Sequence, residues 1–152
     1  GFAIAQNIRE MSRLRVPIIS IVTGEGCSGG ALGIGVSNHI YMLEHAVYTV
    51  ISPEGCASIL WRSAEYARQA AESLKITAKD LLEFGIIDGV ITEPIGGAHQ
   101  DPEMVYQGIH DCIRHALKQL KALSPQELLD QRYEKFRGIG QFEEKLAAKT
   151  KK

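Results

Sequence analysis

Between Gly24 and Gly35 six of twelve residues are glycine, and the run follows directly on Ile18, Ile19, Ile21 and Val22. Glycine loses more backbone freedom on ordering than any other residue and packs no side chain. Such density belongs where a backbone must turn sharply or approach something closely. The β-branched run ahead of it reads as a buried strand, Val16 to Val22. A short helix from Gly30 to Val36 fits behind, although Gly33 and Gly35 each cost about 1 kcal/mol there relative to alanine. Strand, glycine turn and short helix together point to an α/β unit.

The flanking sequence supports that class. Phe2, Ile4, Ile8, Met11 and Leu14 form an amphipathic helical pattern that Pro17 stops. Ile40 to Leu43 and Val47 to Ile51 read as strands. Ser52-Pro53-Glu54 has the form of a helix start, and that helix is expected to reach Trp61. Ser63 to Leu74 favours helix, and Thr77 opens another that Gly85 ends. Ile86 to Ile91 makes a short strand closed by Pro94. Pro102 to Leu120 has a sustained helical period, and Ser124-Pro125-Gln126-Glu127 is a capping box for a last helix to about Arg137. The charged end, Glu143 to Lys152, is expected to fray. From Val16 to Trp61 there are three glutamates and no lysine or arginine, so this stretch is expected to be mostly interior.

Composition narrows the function classes. The 152 residues carry a net charge of −1, which supplies no general basic field for nucleic acid or an anionic membrane. No apolar run approaches the roughly 18 residues of a membrane span. Cys27, Cys56 and Cys112 form no CxxC pair, so neither a zinc site nor a disulfide framework is indicated, and a reducing cytoplasm is expected. The chain opens at Gly1 without methionine, in the manner of a fragment or processed chain.

The glycine run admits several chemistries. As G-x-G-x-x-G (Gly24, Gly26, Gly29), with Glu44 twenty residues on, it matches a dinucleotide fingerprint. As G-x-S-x-G (Gly26, Ser28, Gly30) it matches a nucleophile elbow with Ser28 as nucleophile, which needs a later acid and one of His99, His110 or His115. A phosphate P-loop is excluded because no lysine follows. A third reading uses backbone amides at a helix start to hold a developing oxyanion. A fourth is a turn that only packs tightly. Cys27 as a nucleophile lacks a helper histidine, Glu54 suits helix capping or shaping of the site, and His99 suits a pocket, an interface or a plain loop.

Four stretches narrow this choice: Ile8-Arg9-Glu10-Met11-Ser12, Gly24-Glu25-Gly26-Cys27-Ser28-Gly29-Gly30-Ala31-Leu32, the block from Val50 to Trp61 that contains Ser52-Pro53-Glu54-Gly55-Cys56-Ala57, and Glu93-Pro94-Ile95-Gly96-Gly97-Ala98-His99. In this order and spacing they resemble the alpha subunits of bacterial and plastid-type acetyl-CoA carboxylase carboxyltransferase, over the later part of such a subunit and as far as about Arg137. The resemblance implies a crotonase-like ββα spiral, partial here (residues 1–100), with a helical C-terminal extension (101–140) and a charged tail (141–152). It implies transfer of the carboxyl group from carboxybiotin, borne on a biotin carboxyl carrier protein, to acetyl-CoA. The product is malonyl-CoA, in the first committed step of fatty acid synthesis. A beta subunit would complete an α2β2 heterotetramer within an ATP-binding complex, in the cytoplasm or the plastid stroma. That subunit would hold coenzyme A and a zinc ribbon, leaving no metal in this chain.

Carried over residue by residue, the resemblance makes the Gly29 and Gly30 amides the catalytic oxyanion donors. Gly26, Cys27, Ser28, Glu54 and Gly55 would line the carboxybiotin side. Biotin itself is not expected on this chain, since none of its lysines lies between two methionines. Cys27 stands where the family commonly has glycine, and an allowed backbone is expected there.

Overall fold

In a computed structural model that describes residues 1–140, the chain alternates helices with short parallel strands. Helix α1 (Phe2–Arg13) leads to β1 (Ile19–Val22), β2 (Glu25–Cys27), α2 (Ser28–Ile34), β3 (His39–Leu43) and β4 (Val47–Thr49). Then come α3 (Pro53–Trp61), α4 (Ala67–Leu74), α5 (Ala78–Glu83), β5 (Gly89–Ile91), α6 (Pro102–Leu120) and α7 (Pro125–Gly138). The charged tail expected at 141–152 lies outside the described residues.

One sheet has the order β1-β3-β5 and a second pairs β2 with β4; these strand pairings are parallel, and Val47 also makes an isolated antiparallel bridge with Thr77. Parallel neighbours need long crossovers, and the helices supply them. The core is built on β3, with Ile40, Met42 and Leu43 buried against Leu81, Ile87, Ile91 and Val105. A smaller cluster, Cys56, Ala57 and Ala70 with Ile51, Trp61 and Leu74, joins α3 to α4.

Several boundaries differ from the sequence reading, each for a local reason. The strand expected from Val16 begins only at Ile19. Pro17 has no donor, the Ile18 N–H donates to the Asn38 side chain at 3.1 Å, and the Val16 carbonyl accepts from Arg132 at 3.0 Å. Val47 to Ile51 shortens to Thr49, whose hydroxyl donates to the Ile51 carbonyl at 2.9 Å and bends the chain away. Ser63 to Leu74 is a 3-10 turn (Ala64–Tyr66) followed by α4, because the Ser63 hydroxyl caps Glu65 and tightens the start. Ile86 and Ile87 precede β5: their amides turn back to the Leu81 carbonyl and close α5. The starts of α3, α6 and α7 match the reading, including both halves of the Ser124 capping box.

The C-terminal helices are fastened to the first bend by one buried arginine. Arg132 is 2% exposed, and its guanidinium donates to the carbonyls of Met11, Leu14 and Val16 and to Asn38 Oδ1, at 2.9–3.0 Å. No carboxylate faces it among the described residues. The Met11 carbonyl also accepts the Leu14 N–H at 3.3 Å, and the Leu14 and Val16 carbonyls follow the C-terminal end of α1, the negative pole of the helix. Asn38 completes the clamp by donating to the Leu128 carbonyl and to Gln131, at 2.9 and 2.8 Å. Lys135 adds an ion pair with Asp88 beside it.

Candidate functional site

The glycine run is two structures rather than one turn. Gly24 is followed by strand β2, which lies parallel to β4 with Glu25 opposite Val47, Gly26 opposite Tyr48 and Cys27 opposite Thr49. The chain then reverses at Ser28, which sits at φ 60°, and enters α2 at once. The sharp corner therefore falls on serine, a residue that costs about 1–2 kcal/mol in the left-handed region. Cys27, at φ −134°, is ordinary extended backbone, as expected.

The glycines divide by what a side chain would meet. At Gly26 a Cβ would stand 2.9 Å from the Tyr48 ring, and at Gly35 it would collide with the Tyr48 phenol oxygen. Tyr48 thus occupies a slot left by two glycines, and its hydroxyl donates to the Ala31 carbonyl at 3.2 Å. Burial pushes the pKa of that phenol up, so it stays a donor. Gly29 faces Ile4 of α1, where a Cβ would approach to 3.1 Å; Gly33 meets Ile4 and Ile8 at ordinary distances. Gly30 has nothing within 4 Å and is exposed, and its φ lies outside the left-handed region. No contact within the described chain requires glycine at position 30.

The register of β2 against β4 also brings the second predicted stretch alongside. Both strands run the same way, so α2 and α3 start beyond the same edge of the pair, α3 after the short run Val50 to Ser52. The Ser52 hydroxyl accepts the Gly55 N–H at 3.1 Å, and a Cβ on Gly55 would come within 3.2 Å of that oxygen. Glu54, read as a possible cap, is not one: it is exposed in the first turn, and Ser52 does the capping. A cavity of about 300 Å³ lies behind the corner, bounded by Ser20, Val22, Gly26, Ala31, Ile34 and Tyr48. Gly26, Cys27, Ser28, Gly29 and Gly30 thus form one continuous corner, and Glu54 and Gly55 begin the helix beyond the neighbouring strand.

The rival chemistries find no support in this arrangement. All five histidines lie against other groups: His39 against Tyr41, His45 against Glu93, His99 against Gln100, His110 against Asp111 and His115 against Gln119. Ser28 has no histidine partner among the described residues, so the nucleophile elbow has its bend but not its base. The dinucleotide reading fails twice. Gly26 is paired strand, and the Glu44 carboxylate that would hold a ribose accepts the Glu93 N–H at 3.1 Å. Cys27 is an exposed free thiol, Cys56 is buried in the small cluster, and Cys112 packs against the main core. No cluster of metal-ligating side chains occurs among the described residues.

Beyond the corner, loop tethers order the ends of β3 and β5. The Glu93 carboxylate is 6% exposed and accepts from the His45 N–H at 2.6 Å and the Ala98 N–H at 3.0 Å. Burial opposes its ionisation, yet those hydrogen bonds prevail and hold its pKa below the usual glutamate value. His99, in this same loop, is exposed beside Gln100. On the opposite flank burial, aided by the Cys112 thiol and Asp88, pushes the Tyr41 pKa up to about 12, and His39 stacked on it is held low by burial. The residues that sequence reasoning missed are Tyr48 and Arg132. Tyr48 falls inside the Val47 to Ile51 strand pattern, and nothing in the spacing links it to Gly26 and Gly35.

A family model described as acetyl co-enzyme A carboxylase carboxyltransferase-like matches residues 1–140. The chain belongs to this carboxyltransferase family. The acetyl-coenzyme A carboxylase carboxyl transferase subunit alpha of Synechococcus elongatus is 59% identical over 142 residues, which are 93% of this chain and 43% of that subunit. Its Thermus thermophilus counterpart is 52% identical over 144 residues, 95% of this chain and 46% of that subunit. The chain therefore spans less than half the length of these carboxyltransferase relatives. Among solved structures, a Pseudomonas malonate decarboxylase hetero-tetramer in complex with coenzyme A aligns with a TM-score of 0.65 at 18% identity, covering 86% of this chain and 51% of that one. Transcarboxylase 12S aligns at 0.62 and 19%, covering 78% of this chain and 22% of that one. These likenesses concern the fold, which is crotonase-like.

Proposed function

We propose that this chain is part of a carboxyltransferase alpha subunit that moves the carboxyl group from carboxybiotin to acetyl-CoA, giving malonyl-CoA. The observation that carries the reading is Gly30, a glycine in the exposed first turn of α2 with no internal reason to be glycine. Alanine would be favoured there by about 1 kcal/mol, so the absence of a side chain serves something that approaches from outside. The family supplies that visitor, the biotin of a carrier protein, as a substrate rather than a resident group.

The chemistry asks little of side chains. Negative charge gathers on the ureido oxygen of biotin as its carboxyl leaves, and on the thioester oxygen as the enolate forms. Amides aimed at each oxygen stabilise both changes, and no nucleophile is needed. In this reading the Gly29 and Gly30 N–H groups serve the biotin oxygen, and losing one such donor costs about 2.7–4 kcal/mol of transition-state stabilisation. Gly26, Cys27 and Ser28 shape the corner that presents them, and Glu54 and Gly55 border it. The coenzyme A thioester falls to a beta subunit in an α2β2 assembly that meets a biotin carboxyl carrier protein. Its compartment is the cytoplasm, or the stroma in a plastid.

The test combines the full-length protein with a beta subunit and follows carboxylation of free biotin at the expense of malonyl-CoA. Turnover that requires both subunits is expected. An inactive reconstituted mixture overturns the reading.

A further inference from the structure

Tyr48 lies outside every motif discussed for the corner, yet it touches the strand that enters it and the helix that leaves it. From β4 its ring covers Gly26 of β2, its phenol oxygen fills the space over Gly35 at the end of α2, and its hydroxyl holds the carbonyl of Ala31, the residue next to Gly30. The last turn of α2 has one further side-chain tie, the Ser20 hydroxyl donating to the Ile34 carbonyl at 2.8 Å; the Ala31 carbonyl, nearer the corner, is held by Tyr48. The cavity of about 300 Å³ behind the corner is bounded in part by Tyr48, and so is a second of about 250 Å³ between α2 and α4, with Leu32, Val50, Leu74, Leu81 and Ile86. Of the seven residues of α2 only Gly33 is buried, and it presents no side chain. A seven-residue helix with space on two sides takes its orientation from few tertiary contacts, Ile4 of α1 against Gly29 and Gly33 on one face and Tyr48 on the other.

We infer that Tyr48 is the positioning residue of the glycine corner: its ring sets the separation of β2 and α2, and its hydroxyl sets the rotation of α2 and hence the aim of the Gly29 and Gly30 amides. The inference rests on the carboxyltransferase reading for its functional consequence, though not for its geometry. The phenol is required as well as the ring, because only the hydroxyl reaches the helix backbone. A small misplacement of a preorganised donor costs rate rather than substrate affinity.

The decisive comparison uses the full-length protein with its beta subunit, and the variants Tyr48→Phe, Gly35→Ala and the two combined. Tyr48→Phe is expected to lower kcat by about tenfold while KM for biotin stays within about twofold and the melting temperature changes little. Gly35→Ala displaces the phenol and should lower kcat in the same way. Its effect should shrink in the Tyr48→Phe background, since the colliding oxygen is gone. In parallel, amide hydrogen exchange from Leu32 to Gly35 should quicken in Tyr48→Phe, a readout that needs no activity. Unchanged kcat and unchanged exchange in Tyr48→Phe would overturn the inference, as would a loss of kcat that follows the loss of stability. An inactive wild-type mixture with quickened exchange removes the carboxyltransferase reading and leaves the positioning role standing.

Discussion

The two ends of α1 face opposite fates. At its C-terminal end the carbonyls of Met11 and Leu14 accept hydrogen bonds from Arg132, and Asn38 joins the same bend to α7. Near its N-terminal end Ile4 packs on Gly29, and the helix it supports, α2, begins with an exposed first turn. One region spends its polarity internally and becomes a fastening. The other keeps its glycine surface open to an outside group. The same fold can do both because the clamp stiffens the element on which the open turn leans.

Breaking the clamp gives the largest expected effect. Arg132→Met should destabilise the protein by about 3 kcal/mol in denaturant unfolding, since several hydrogen bonds of one buried guanidinium are lost together. Arg132→Lys should recover little, because a lysine cannot span several acceptors with a planar fork. A loss under 1 kcal/mol for Arg132→Met would erase the contrast between the two regions. Next, Gly26→Ala drives a methyl into the Tyr48 ring and should cost about 1–3 kcal/mol.

The loop tether gives a smaller effect, visible in its pH dependence. The Glu93 pKa is lower folded than unfolded, so its contribution is fully present above the ordinary glutamate value of about 4.3 and is lost as pH falls through the folded value. Wild-type stability should therefore drop more steeply below about pH 4.3 than that of Glu93→Gln; parallel curves would discard the tether. The smallest stability effect has the opposite sign. Gly30→Ala should leave the melting temperature unchanged or raise it, by up to about 1 kcal/mol of stability, while lowering carboxyl transfer. Full activity in that variant would remove the reason for placing a visitor at the turn.

Much of the fold was legible because its signals are local. Ser52, Thr77, Asp101 and Ser124 all cap the helices they open, and Pro53, Pro102 and Pro125 stand at the first helical position. Strand β2 was not legible: three residues containing a glycine carry no alternation, and only the pairing with β4 makes them a strand. The site was legible as a glycine cluster but not glycine by glycine. Gly26, Gly29 and Gly35 are explained by Tyr48 and Ile4, residues whose proximity depends on tertiary structure; Gly24 and Gly30 have nothing within 4 Å, and of these two only Gly30 lies in a helix. Arg132 carries no such signal, because a buried arginine facing carbonyls leaves no acidic partner in the sequence to betray it.

That absence of an acidic partner gives the clamp a particular character. Ionic strength weakens attraction between opposite full charges, and the Lys135–Asp88 pair is open to it. Arg132 instead meets the oriented dipoles of neutral carbonyls, and dissolved ions have no counter-charge there to displace. The last helix should therefore stay seated in concentrated salt that loosens its neighbouring ion pair, and the bend after α1 would keep its shape across a wide range of ionic conditions.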